Sequence, residues 1–442
     1  MTEFPPPDPV AAALNAKFGP EFGAAFAGQA PYSLDPLRAA LAALGDPHHR
    51  LPPIVHIAGT NGKGSTAAFT QAILKAAGLK VHAFTQPHLI RTTERITLAN
   101  APIAEDVFLA LIDRVAAPGL PLSHFEAQTA CAFLAFAENP ADAVVLEVGM
   151  GGLLDATNVI PAPAVCLITT IGADHMQVLG DTLPTIARHK AGIIKPGALV
   201  ISAPQEDPAV DRVFEAQAMR CRCPLLMGGV DWTVRSEEGR LLVETQAELF
   251  DLPMPSLPGA HQQINAALAI LGAQALAAER LTPNALAEGI AGAQWPGRLQ
   301  RLTQGPLAKK AAIQGQALFV DGGHNPAAAA ALATWIAAQP LPVALIIGML
   351  ADKDAEAFLQ PLIAAGAKAV VAVAPKGPRP PLAPSRVLAA ARRAKAAKTD
   401  VADDLLSAIS QASAALQRTG VILIAGSLSL AAEALFLSET QT

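Results

Sequence analysis

Apolar residues in this chain fall into short unbroken runs separated by stretches with helical spacing, and the alternation repeats almost from end to end. The first clear run, Ile54-Val55-His56-Ile57-Ala58, ends in a glycine-rich turn and opens into Ala67-Ala68-Phe69-Thr70-Gln71-Ala72-Ile73-Leu74, the order strand, loop, helix. Upstream, residues 34–44 (LDPLRAALAAL) have the spacing of an amphipathic helix, stopped by Gly45-Asp46-Pro47. Downstream, the pattern predicts strands over 80–85, 143–148, 164–170 and 198–202, and helices over 105–117, 123–137, 182–194 and 208–219. Such alternation with short connections predicts a doubly wound, mainly parallel α/β sheet. Residues 224–250 alternate apolar and polar positions instead, which predicts small antiparallel strands appended to that sheet. Helices over 260–277 and 283–291 follow.

After Gln294-Trp295-Pro296-Gly297-Arg298 the α/β pattern restarts: strands over 318–321, 342–348, 368–373 and 421–425, helices over 326–338, 354–364, 385–395 and 402–416. With 442 residues the chain exceeds one ordinary core. Two domains are therefore expected, residues 1–296 and a smaller, Rossmann-like α/β domain over 297–442.

Composition narrows the function classes. Apolar residues make up 52% of the chain, and one charge-free run extends over residues 326–351. Pro340 and Pro342 interrupt it, so helix, turn and buried strand fit better than a membrane span. The N-terminal MTEFPPPDPV has no basic segment followed by an apolar one, so no export signal is expected. Cys131, Cys166, Cys221 and Cys223 match no zinc spacing and read as free thiols of a cytoplasmic protein. A net charge of −5 with 4% aromatic residues gives no footprint for nucleic acid.

The candidate chemistry begins at Gly59-Thr60-Asn61-Gly62-Lys63-Gly64-Ser65. Glycines let backbone approach an anion, amides at a helix start point at it, and Lys63 supplies positive charge. Gly64 separates Lys63 from Ser65, so the spacing differs from the common P-loop. Glu147 ends an otherwise apolar strand, where a carboxylate is costly unless paired or metal-bound; opposite a phosphate loop it would hold Mg²⁺. His175 sits just past a strand end, a place where histidines are often structural. Lys190 by itself reads as a solvated helix lysine. Asp321-Gly322-Gly323-His324-Asn325-Pro326 and Gly348-Met349-Leu350-Ala351-Asp352-Lys353-Asp354 each follow a strand; both are either ligand-facing turns or helix caps.

Taken together, HIAGTNGKGST (56–66), PHLIRTTERI (87–96), FEAQTACAF (125–133), VLEVGMGGLLDATNV (145–159), ITTIGADHMQVLGDTLPTIA (168–187), KAGIIKPG (190–197), HQQINAALA (261–269), WPGRLQ (295–300), DGGHNP (321–326) and GMLADKD (348–354) closely resemble the folylpolyglutamate synthase/dihydrofolate synthase family of the Mur ligase superfamily. The resemblance implies an ATP-dependent amide ligase that adds L-glutamate to dihydropteroate and to tetrahydrofolate or folylpolyglutamate through an acyl phosphate, releasing ADP and phosphate. It makes residues 1–296 the ATP-binding domain, with the nucleotide expected in the cleft between the domains, and implies two Mg²⁺ ions and a monomer.

By the same resemblance, Gly59 to Ser65 bind phosphates, with Ser65 a further candidate metal ligand, and Glu147 and His175 hold Mg²⁺. Lys190 matches a lysine that is carbamylated in the family, which reverses its solvated reading. Asn265, Arg298, Asp321 and His324 match nucleotide contacts. The pterin is expected along Ser123, His124, Phe125 and Glu126, and along Leu154, Asp155 and Ala156. Two positions depart from the family. Gln86 replaces a serine that ligates Mg²⁺; a glutamine amide oxygen can do so with a longer arm. Leu153 replaces an arginine or lysine. A ligase for a cell-wall precursor and a non-catalytic nucleotide-binding paralogue are the alternatives.

Overall fold

The computed structural model describes residues 4–21, 33–416 and 419–439. The described residues divide into two units: Asp8–Ser256 with His261–Gln294 form the first, and residues 4–7, Leu257–Ala260 and those from Trp295 onward form the second.

The first unit is built on eight strands: β1 (Ile54–Ala58), β2 (Val81–Phe84), β3 (Ile96–Leu98), β4 (Ala101–Pro102), β5 (Ala143–Glu147), β6 (Val165–Ile168), β7 (Leu199–Ser202) and β8 (Leu225–Met227). Their order is β4-β3-β2-β5-β1-β6-β7-β8. From β2 to β8 every pairing is parallel, and at one edge β3 pairs antiparallel with both β2 and β4. β1 and β5 are buried along their whole length, as strands covered on both faces must be. The register sets Ile57 beside Glu147 and Ala58 beside Ile168, so the loops leaving β1, β5 and β6 gather at one edge of the sheet.

Helices cover both faces. Lys63–Ala76 packs on Pro283–Gly292, and a methyl group on Gly289 would stand 2.5 Å from the Ile73 Cα, so glycine sets that approach. Helix His124–Glu138 buries Cys131, Phe133 and Phe136 in a core shared with Phe84, Phe108 and Leu146.

Residues 224–250 divide in a way that corrects the expectation of antiparallel strands throughout. β8 extends the large sheet in parallel, whereas β9 (Trp232–Glu237), β10 (Arg240–Thr245) and β11 (Leu249–Pro253) form a separate antiparallel sheet. Period-two alternation buries Leu241 and Val243 on β10 and Phe250 and Leu252 on β11.

The second unit has six strands: β12 (Gln300–Leu302), β13 (Gln316–Val320), β14 (Val343–Ile347), β15 (Ala369–Ala372), β16 (Thr399–Val401) and β17 (Gly420–Ala425), ordered β12-β13-β17-β14-β15-β16. All but β12 are parallel. The charge-free run resolves into helix Pro326–Ala337 and strand β14. Among the described residues, no helix is long and apolar enough to cross a membrane.

Candidate active site

At the end of β1 the chain turns through Gly59 and Gly62, and neither position tolerates a side chain. Gly59 has φ +148°, and a methyl there would stand 1.7 Å from Thr169 Oγ1; one on Gly62, at φ +87°, would stand 2.3 Å from Asn265 Oδ1. The loop is tied to the end of β6: Thr60 N donates to Thr170 O at 3.0 Å, and the Thr60 hydroxyl donates to Gly172 O and accepts from Gly172 N. Helix Lys63–Ala76 then starts from Gly62 without a capping side chain. Its first intrahelical bond is Thr66 N to Gly62 O at 2.8 Å, so the amides of Lys63, Gly64 and Ser65 precede the helical ladder. Such an N-terminus concentrates donors and a positive dipole end. Asn61 is half-buried on this loop; Gly64 and Ser65 are buried.

Two lysines converge on one carbonyl. Lys63 Nζ donates to Gly59 O and Thr60 O, both at 3.1 Å, and Lys190 Nζ donates to Gly59 O at 2.7 Å. Lys190 closes the helix Leu183–Ala191 and is 4% exposed. Burial, aided by the nearby Lys63 charge and opposed by Asp174 and Asp155, lowers its pKa to about 7. The solvated reading of Lys190 is therefore corrected: it is a buried amine with a large neutral fraction near neutral pH.

Glu147, 3% exposed, ends β5 beside β1 and accepts from Gln86 N at 2.8 Å. The Gln86 side chain turns the other way, its Oε1 accepting from Arg95 Nη1 at 2.7 Å. Arg95 is the hub of a buried polar cluster. Its Nε donates to His88 Nδ1 at 2.8 Å, Nη1 also donates to Gln128 Oε1 at 2.8 Å, and Nη2 pairs with Glu21. Burial and the Arg95 charge lower the His88 pKa to about 4, which keeps that ring neutral and able to accept. In this structure the amide oxygen expected to face a metal serves Arg95 instead. His175 follows β6 with φ +51°, its side chain half exposed and 3.9 Å from Asp174.

The expected pterin residues serve several structural ends. Asp155 Oδ2 accepts from the amides of Gly149 and Met150 at 3.0 Å, and Oδ1 accepts from Thr157 N at 3.0 Å and from its hydroxyl at 2.6 Å. His56 Nε2 then meets Thr157 Oγ1 at 2.9 Å. Ala156 has no exposed surface and belongs to the core. Asp155 and Ala156 thus build the loop after β5, because a buried carboxylate must fill its lone pairs locally. Ser123 and Glu126 form a reciprocal capping box on helix His124–Glu138. His124 is buried with Nδ1 at 3.2 Å from Gly19 O. Phe125 stacks on Phe84 at 6.0 Å and covers Gly149, and Leu154 is exposed.

Asn265 is buried against the phosphate-type loop; its Nδ2 donates to Gln262 Oε1 at 2.9 Å, and Gln262 Nε2 donates to Ser65 Oγ at 3.2 Å. Sequence reasoning passed over Gln262 and Thr169. Gln262 lies three residues before Asn265, one helical turn away on the same face, which was the available signal.

In the second unit, Asp321 follows β13 directly and spends both oxygens on backbone: Oδ2 accepts from Leu299 N at 2.9 Å and Oδ1 from Gly323 N at 2.7 Å. His324 Nδ1 lies 2.9 Å from Gly322 O, and Arg298 is half-buried on the adjoining turn. Asn325 and Asp354 cap the helices Pro326–Ala337 and Ala355–Ala364, so both turns carry cap chemistry.

Comparison with known proteins matches this arrangement to established ones. Residues 57–273 fit the Mur ligase middle domain and residues 297–428 the Mur ligase, glutamate ligase domain. The dihydrofolate synthase/folylpolyglutamate synthase of Bacillus subtilis (strain 168) is 37% identical over 303 residues, 64% of this chain and 67% of that protein. The folylpolyglutamate synthase of Lacticaseibacillus casei is 34% identical over 360 residues, 77% of this chain and 80% of its own. Among solved structures, E. coli FolC in complex with DHPP and ADP superposes with a TM-score of 0.84 at 29% identity, covering 97% of each chain. The Mycobacterium tuberculosis folylpolyglutamate synthase complexed with ADP gives 0.83 at 30% identity, covering 98% of each. With two Mur ligase domains in order and relatives of this identity and coverage, the chain belongs to the dihydrofolate synthase/folylpolyglutamate synthase family of the Mur ligase superfamily.

Proposed function

We propose that this member of the family joins L-glutamate to the carboxylate of dihydropteroate, and also extends tetrahydrofolate or folylpolyglutamate, at the expense of ATP. The reaction class is that of an acid–amino-acid ligase. A carboxylate oxygen is a poor leaving group. Transfer of the γ-phosphoryl group to it forms an acyl phosphate and ADP; the glutamate amine attacks the carbonyl carbon, phosphate leaves, and the amine proton passes to solvent. The protein's share is positioning and charge neutralisation.

One observation carries this reading: Lys63 and Lys190 meet at the Gly59 carbonyl, at the head of an uncapped helix, with buried Glu147 at the next strand end. The glycine cradle and open amides fit a nucleotide's phosphates, to which Lys63 adds charge. Glu147 supplies an oxygen donor of the kind a hard dication needs, and Ser65 and His175 are the further residues proposed to hold two Mg²⁺ ions. When bound, Mg²⁺ neutralises phosphate oxygens. The lowered pKa of Lys190 supports its carbamylation: the neutral amine adds to CO₂, an N–C bond forms and one proton is released, leaving an anionic oxygen donor. Asn265, Arg298, Asp321 and His324 are the proposed nucleotide contacts, and Phe125 and Leu154 the proposed apolar contacts of the pterin. Unpaired thiols at all four cysteines support a cytoplasmic location, and we take the enzyme to act as a monomer.

The test is product analysis with ATP, L-glutamate and either dihydropteroate or tetrahydrofolate. ADP formation that requires both the glutamate and the pterin is expected. AMP as product, or ADP formation independent of the pterin, overturns the proposal.

A further inference from the structure

The turn leading into β1 carries a side-chain cluster that the ligation chemistry does not use. Asp46, Pro47, His48 and His49 follow helix Asp35–Ala43, and backbone bonds fix their course: Asp46 N to Leu41 O at 2.8 Å, His49 N to Asp46 O at 3.1 Å and Arg50 N to Pro47 O at 3.1 Å. One Asp46 carboxylate oxygen and one ring nitrogen from each of His48 and His49 lie within 4.8 Å of one another. The two rings sit 4.1 Å apart, centroid to centroid.

One of these groups lacks the partner its position would give it. Asp46 precedes the turn Pro47–His49 in left-handed backbone at φ 51°, and its side chain makes no capping bond, which leaves the carboxylate available to a ligand. His48 is only 6% exposed, packed toward Phe133, and its Nδ1 has no hydrogen-bond partner. A buried ring nitrogen without a partner is costly.

Two imidazoles and one carboxylate make a donor set suited to zinc-class ions and poorly suited to Mg²⁺. We propose that Asp46, His48 and His49 form a site for a divalent transition ion of the zinc class, with water in the fourth position, that pins the turn entering β1. Metal–ligand bonds of about 2.0–2.2 Å require donors closer together than the turn now holds them. His48 is held by packing toward Phe133, so the proposal requires the exposed His49 and the Asp46 carboxylate to close on it.

The experiment uses the full chain, stripped by chelator and then held in excess Mg²⁺ to occupy hard-ligand positions. Zn²⁺ is titrated against a chromophoric chelator, and Co²⁺ is followed by absorption. One tight equivalent is expected, with a Co²⁺ spectrum free of thiolate charge-transfer bands and a rise in melting temperature on Zn²⁺ addition. His49→Ala and Asp46→Asn, both solvent-side changes, should lose that equivalent and the thermal shift while keeping ligase activity. Unchanged binding in both variants overturns the proposal. So does a thiolate band, which would put the ion on Cys221 and Cys223, or loss of the equivalent in Glu147→Gln but not in His49→Ala.

Discussion

The strand-to-helix turn after β1 and the one after β13 look alike in sequence, each with glycines followed by polar residues and a helix, yet they end in opposite states. After β13, Asn325 accepts from Ala328 N and Pro326 occupies the first helical turn, so the helix satisfies its own N-terminus. After β1, Gly62 offers no side chain, and the donors of Lys63, Gly64 and Ser65 remain at the head of the helix. A turn's ability to take an anion is thus decided by the residue at the cap position more than by its glycine content.

The largest test of that contrast is Lys63→Ala. Removing the charge beside the open amides should lower kcat/KM by about 10²–10³-fold, whereas His324→Ala, within the capped turn, should act mainly on the KM for ATP; steady-state kinetics separates the two. Equal effects on kcat would erase the distinction. Gly62→Ala comes next. Its methyl meets Asn265 Oδ1 at 2.3 Å and the backbone sits at φ +87°, so ATP affinity measured by calorimetry should fall sharply while the circular dichroism stays native.

Lys190 sharpens the comparison through pH. Its folded pKa of about 7 lies below the ordinary 10.5, so between those values the unfolded chain holds more protons on this group than the folded one. Its contribution to stability therefore rises with pH across that window, and Lys190→Met should flatten the denaturant midpoint against pH there. Carbamate formation needs the neutral amine, so the ¹³C carbamate signal should decline as pH falls below 7. Activity of Lys190→Ala should return in part with short carboxylates, and its failure to do so would count against the carbamate.

Asn325→Ala should cost about 1 kcal/mol of stability, the usual worth of a cap, with little change in kcat. The smallest effect is expected at Gln86→Ser. It frees Arg95 Nη1 from one acceptor and shortens the arm beside Glu147, so the Mg²⁺ concentration for half-maximal activity should shift modestly with kcat kept.

Much of the fold was legible because the central strands of both large sheets are short buried apolar runs set between helical stretches. Helix 260–277 and the run 326–351 resolve as their periodicity indicates. Helices Gly305–Ile313 and Leu428–Glu439 and the edge strands β12 and β16 were not read, since each is short or lacks a strong period. The phosphate-type loop was legible locally. The Arg95 cluster was not, because its partners Gln128 and Glu21 lie 33 and 74 residues away, and nothing in a linear pattern couples them. The same holds for Gln262 and Ser65, 197 residues apart. Lys190 shows the limit most plainly: its burial against Gly59 spans 131 residues, and residue type alone gave the opposite reading.

The close packing at Gly152 and Gly192 bears on what position 153 can carry. A methyl on Gly152 would stand 2.7 Å from His189 O, and one on Gly192 would stand 2.5 Å from the Leu153 Cα, while Leu153 N is bonded to His189 O at 2.7 Å. The main chain at position 153 is clamped between glycines, but its side chain is 50% exposed. Position 153 is a fixed socket with an interchangeable plug. A change of side chain at position 153 therefore alters the charge at the rim of this loop without disturbing the frame that carries Lys190.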